Sequence, residues 1–111
     1  PDLSSQWITT FYEEYNKIEK EINRASSLEK EGKPLESEAI LKKIPKTSWQ
    51  LKIYADSMKE YGAMIRNIYN NKKYTSEEKR ELIDEFARLM INTAKRSLDI
   101  MNIKVEPQEQ R

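Results

Sequence analysis

The sequence predicts an all-α fold: an antiparallel three-helix bundle with a short extra helix between the first and second long helices. Three observations carry that expectation. Ile8, Phe11, Tyr15, Ile18, Ile22 and Ala25 recur at alternating steps of three and four, and Tyr54, Met58, Tyr61, Ile65 and Ile68 repeat the rhythm. Such spacing places one apolar seam on each of two helices. No strand signal competes, because runs of β-branched residues and Asn-Gly or Asp-Gly hairpin turns are missing. Of the 111 residues, 37% are hydrophobic and 35% charged. That apolar share is low for a globular core and ordinary for helices that bury one stripe and leave the rest wet.

Helix one opens at Ser4 or Ser5, either of which suits an N-cap. Trp7 and Ile8 begin its apolar face, while Glu13 and Lys17 form an i,i+4 pair on its wet side. Leu28 continues the stripe. Gly32 and Pro34 then stop the helix, Gly as a left-handed terminator and Pro because it cannot continue the ladder.

A second, short helix starts at Pro34 or Leu35 and draws its apolar content from Ala39, Ile40, Leu41 and Ile44. Pro45 removes a hydrogen bond and clashes with the preceding turn, at about 3 kcal/mol. Two outcomes follow: a break over Lys43 to Thr47, with Thr47 or Ser48 capping the next helix, or one long helix kinked at Pro45.

Helix three runs from about Ser48 to Asn70. Gly62 lies inside it, at a cost of about 1 kcal/mol against Ala. Close approach of another helix backbone offsets that cost, unless Gly62 is a surface position of no consequence. Asn70 to Tyr74 is a polar loop. Thr75-Ser-Glu-Glu78 then matches a capping box, and its acidic first turn suits the helix dipole.

Helix four carries Leu82, Ile83, Phe86, Leu89, Met90, Ala94, Leu98 and Met101 on a broad face. Running from Ser76 to about Asn102, it spans about 40 Å. Short loops make neighbouring helices antiparallel, and seams spaced near 3.5 favour shallow left-handed crossing. The bundle is expected over 1–103, with 104–111 a polar tail.

Composition bounds the chemistry. Lys and Arg total 20 against 19 Asp and Glu, a net charge of +1, whereas a dedicated nucleic-acid binder shows a basic excess. There is no His and no Cys, which removes disulfides and the usual zinc and iron ligands and fits a reducing compartment. The acidic pairs Glu13/Glu14, Glu77/Glu78 and Asp84/Glu85 are neighbours on helices, so their side chains diverge rather than converge on an ion. No His stands ready as a base for a serine, and Gly32 and Gly62 are isolated rather than part of a phosphate-cradling loop. No catalytic, cofactor-binding or metal-ligating residue is expected, and the chain does not read as an enzyme. No apolar run approaches the roughly 20 residues of a membrane span, and no signal peptide is visible. Pro1 in place of Met, and the polar end Pro107 to Arg111, read as a piece of a longer chain.

Two sets of residues are candidates for contact with partners. Tyr and Trp suit surfaces that are dry at one end and wet at the other. Among six tyrosines and two tryptophans, Tyr12, one position off the seam, and Trp7 are candidates for an exposed apolar edge. Lys42, Lys43 and Lys46 gather around Pro45, and Lys72 and Lys73 sit beside Tyr74. Basic groups beside an aromatic ring suit nucleic-acid contact. The same lysines also serve simply to solubilise helix ends and complement their dipoles.

The stretch Asn71-Lys-Lys-Tyr-Thr-Ser-Glu-Glu-Lys-Arg-Glu-Leu-Ile-Asp-Glu-Phe86, with Met90 to Leu98, resembles the C-terminal helical region of phage large polyvalent proteins. Glu38-Ala-Ile-Leu41, Ile68-Tyr69-Asn70 and Ser76-Glu-Glu-Lys-Arg80 carry the likeness, over about residues 12 to 100. These are very long phage-encoded chains, some packaged in virions and delivered with the genome. The resemblance implies a structural or interaction module in the virion or the host cytoplasm. Its partners would be a second copy, the parent chain or other virion proteins, and it carries no catalytic residues in this region. Pro45 departs from the uninterrupted middle helix that the resemblance implies.

Overall fold

The computed structural model describes residues 2–107, and the described residues form four helices and no strand: α1 (Ser4–Lys30), α2 (Pro34–Lys43), α3 (Lys46–Asn70) and α4 (Ser76–Ile100). The order is long, short, long, long, as the apolar periodicity requires. Four of the expected tail residues, 108–111, lie outside the described residues. The others, 104–107, are non-helical.

The helix ends follow local chemistry, with some corrections to the expected caps. Leu3, rather than Ser4 or Ser5, occupies the N-cap of α1. Asp2 supplies the missing acceptor: its carboxylate takes hydrogen bonds from the Ser4 backbone N–H at 2.9 Å and from the Ser4 hydroxyl. Those bonds hold the Asp2 carboxyl below its ordinary pKa.

At the other end of α1, Gly32 sits at φ +80°. Its N–H donates to the Glu29 carbonyl at 3.1 Å and that of Lys33 to Leu28 at 2.9 Å, the paired bonds of a Schellman terminator. The same device closes α4. Asn102 takes φ 59°, Asn102 N–H donates to Asp99 at 3.0 Å, and Ile103 N–H donates to Leu98 at 2.9 Å. Asn is the residue other than Gly that best tolerates this conformation.

Pro45 breaks the chain rather than kinking it, and the break is narrower than expected. Ile44 is extended, at ψ 121°, as a residue before proline prefers. Pro45 is itself the N-cap of α3, and its carbonyl accepts from Ser48 and Trp49. Thr47 and Ser48 therefore lie within the helix and do not cap it, and Ser48 is buried. The capping box at α4 forms as the sequence predicts. Thr75 Oγ1 accepts from the Glu78 N–H at 3.1 Å, and Glu78 Oε1 accepts from the Thr75 N–H at 2.9 Å.

Packing centres on Phe11 and Ile18 of α1, Leu51 and Met58 of α3, and Ala94 of α4, all buried in one cluster. Trp7, Ile8, Tyr15, Ile22, Tyr54, Ala55, Met90 and Met101 pack around it. Both seams therefore face inward. The α3–α4 pair forms a long hairpin, with the Tyr61 and Phe86 rings 6.2 Å apart midway and Lys79 Nζ donating to the Tyr69 carbonyl at 2.9 Å near its tip. α1 lies against α4, more narrowly against α3, and along α2, whereas α2, among the helices of the described residues, packs on α1 alone. Ser97 is buried on α4, its hydroxyl donating to the Thr93 carbonyl at 2.8 Å. Among the described residues no buried side-chain polar atom lacks a partner.

Candidate functional site

The residues that the sequence marks for contact do not converge on one place. Trp7 is half-buried against the core, with the Lys95 ammonium 5.1 Å from its ring centre, in reach of a cation–π contact. Tyr12 is 38% exposed and meets the Phe11 ring edge to face at 5.3 Å. Lys42, Lys43 and Lys46 flank the start of α3, and Lys72 and Lys73 follow its end; all five are exposed. The 25 residues of α3 separate the two groups, a distance of about 37 Å at 1.5 Å per residue. Lys42 also pairs with Glu38 at 3.0 Å.

Among the described residues no group of three or more acidic side chains is placed to hold a metal ion. Among those residues no helix is long and apolar enough to cross a membrane.

Several concavities flank α1. The residues after α4 fold back onto it, and Lys104, Val105 and Glu106 close a cleft of about 430 Å³ against Ser5, Thr9 and Glu13. Between α1 and α3 lies a second cleft, of about 390 Å³, with Tyr12, Tyr15, Lys59, Gly62, Arg66 and Met90 in its walls. Burial pushes the Tyr15 hydroxyl above its ordinary pKa of 10.0, aided by its hydrogen bond to Glu19 and by the negative charge there. Glu19 in turn pairs with Lys52 at 3.5 Å. No other helix backbone approaches Gly62. A Cβ built there meets only the Arg66 guanidinium, at 3.7 Å.

A further uncovered surface is one the sequence did not single out. Ile53 is 65% exposed, Met64 43% and Leu89 39%. Ile53 and Met64 are eleven residues apart on α3, three turns, so they point the same way. Their direction is away from Leu51 and Met58, which face α1 in the core. On α4, Leu82, Leu89 and Ile100 occupy one narrow arc, displaced from the Met90–Ala94 side that meets α1. α1 therefore covers one side of the α3–α4 hairpin, and the reverse side exposes Ile53 and Met64 of α3, with Glu60 on the line between them, and Leu89 of α4. The available signal was Ile53 itself, a large apolar residue next to the seam residue Tyr54 but off its line. Set against known proteins, the chain matches no family, no curated protein and no solved structure.

Proposed function

We propose that this chain is a non-catalytic helical module for structure and protein–protein interaction, its three long helices forming an antiparallel bundle. The observation that carries the reading is the bare reverse side of the α3–α4 hairpin, where Ile53, Met64 and Leu89 stand exposed. Apolar side chains gathered on one face of a small helical body mark a contact site more often than chance exposure does. Trp7 and Tyr12 are further candidate contact residues, at separate places on α1. Following its resemblance to the phage large polyvalent proteins, the module is the terminal domain of a protein packaged in a virion or delivered from it into the host cytoplasm. Mass spectrometry of purified particles of the encoding element tests this: peptides of the chain inside nuclease- and protease-treated particles support it. Their presence only in the unassembled fraction overturns it.

The alternative, an accessory nucleic-acid contact through Lys42, Lys43, Lys46, Lys72 and Lys73, has less support. Its two lysine groups lie at opposite ends of α3 and form no single stripe. A gel shift with single- and double-stranded DNA at low salt separates the readings, since phosphate contacts strengthen as salt falls. Binding that weakens steeply with added salt favours the alternative, and no shift dismisses it.

A further inference from the structure

We infer that the cleft between α1 and α3 binds a small ligand in which a phosphate is carried on a flat aromatic ring system, the chemistry of a mononucleotide. The site lies on the α1 side of the hairpin, apart from Ile53, Met64 and Leu89, and is independent of the interaction surface proposed above.

The cleft holds about 390 Å³, within the ~300–1,000 Å³ of small-molecule sites. Its floor is apolar, formed by fully buried Met58 and half-buried Met90. Tyr12 and Tyr15 stand on one wall, three residues apart on α1, so their rings share a helix face. The Tyr12 ring meets Phe11 edge to face at 5.3 Å, and Phe11 is itself fully buried. Tyr12 is therefore a positioned platform rather than a loose side chain. Such platforms stack flat rings.

The α3 wall supplies the charge. Lys59, Gly62 and Arg66 follow one another at steps of three and four, on one face. Neither cation belongs to an ion pair among the described residues. The Arg66 guanidinium folds back over Gly62, 3.7 Å from where a Cβ would stand. Three residues, about 4.5 Å along the axis, separate that level from Lys59, within the span of a lysine side chain. The two positive charges thus converge beside Gly62. A phosphate dianion matches a pair of cations, one of them a planar fork. The acid in the cleft wall, Asp56, is six residues from Gly62, about 9 Å along the helix. Its charge acts on the Tyr15 hydroxyl, at the opposite end of the cleft.

Gly62 points the same way. A glycine inside a helix weakens it, and no neighbouring helix backbone uses the room it leaves. That room opens on the cleft, where a ligand reaches the α3 backbone between the two cations.

The test is heteronuclear NMR and calorimetry on the whole chain, titrated separately with AMP, adenosine and inorganic phosphate. AMP is expected to shift the amides around Tyr12, Tyr15 and Lys59 to Arg66. It is expected to bind at least tenfold more tightly than adenosine or phosphate alone. Lys59→Ala, Arg66→Ala and Tyr12→Ala each weaken it about tenfold. Gly62→Leu fills the cleft wall and removes AMP binding while raising the urea midpoint, so its effect is not a loss of folding. No saturable AMP shift up to about 5 mM, beyond the range of specific binding, overturns the proposal. So do adenosine or phosphate binding as tightly as AMP, shifts that map elsewhere, or charge variants without effect. Any of these leaves the virion assignment to the particle experiment, which does not depend on this cleft.

Discussion

Gly32 and Gly62 have the same side chain and opposite consequences. At Gly32 the backbone sits at φ +80° with open space around it. A Cβ there meets no atom and still strains the chain, because left-handed backbone costs an L-residue about 1–2 kcal/mol. Gly32→Ala is therefore expected to destabilise by about 1 kcal/mol. Gly62 is ordinary helix with room for a methyl group, so Gly62→Ala is expected to stabilise by about 0.5–1 kcal/mol. Urea unfolding of the two variants side by side checks both signs. The first role was legible because Pro34 follows closely and a helix must end there. The second was not, because spacing along one helix says nothing about how near another backbone comes. Phe11 is the opposite case: it falls on the seam and is fully buried with Met58. Phe11→Ala is expected to cost about 3–5 kcal/mol, enough to lower the thermal midpoint sharply.

At the scale of the element, what the sequence revealed depended on how local the controlling interaction is. The box at Thr75 and Glu78 involves four consecutive residues and was readable in full. Thr75→Ala is expected to cost about 1 kcal/mol, measured by chemical denaturation. Glu78 adds a pH dependence. Its carboxylate accepts from the Thr75 backbone N–H, and the Thr75 hydroxyl bonds the same turn, which together hold its pKa below the ordinary 4.5. The unfolded chain therefore takes up this proton first as pH falls. The stabilisation is complete above the ordinary carboxylate range and fades as pH drops through the lowered value. Thermal melts are expected to show a loss of stability below about pH 4.5 that is smaller in Glu78→Gln. At α1 the controlling group is Asp2, which stands outside the helix and two residues before the serine it holds. Both serines matched the cap preference, and only the backbone geometry distinguishes a first-turn serine from a cap. Pro45 shows the same limit. Proline had to interrupt the helix, but the choice of Pro45 over Thr47 or Ser48 as the first capping position rests on tertiary packing, in which Ser48 is buried.

For the whole molecule, the class was legible and the shape was not. The seams fixed an all-helical chain because a period near 3.5 suits no strand. The radius of gyration is 17.7 Å, against about 13 Å for a compact domain of this length. Small-angle scattering from the dilute monomer is expected to return a value near the larger figure. The low apolar content was the warning sign, since a thin core cannot round off three helices of this length. The reverse side of the hairpin was hidden for a related reason. Helix four read as one broad apolar face, and only the placement of α1 shows that it covers the Met90–Ala94 half and leaves Leu89 bare.

The attachment of α2 carries a dynamic consequence. It touches α1 alone, and only Ile44 and Pro45 join it to α3. Detaching it leaves Phe11, Met58 and Ala94 in place, so it can open as a separate unit while the centre stays shut. Deuterium uptake should reach the amides of residues 37–43 well ahead of those around Met58, and the chain should come apart from this outer flap inward.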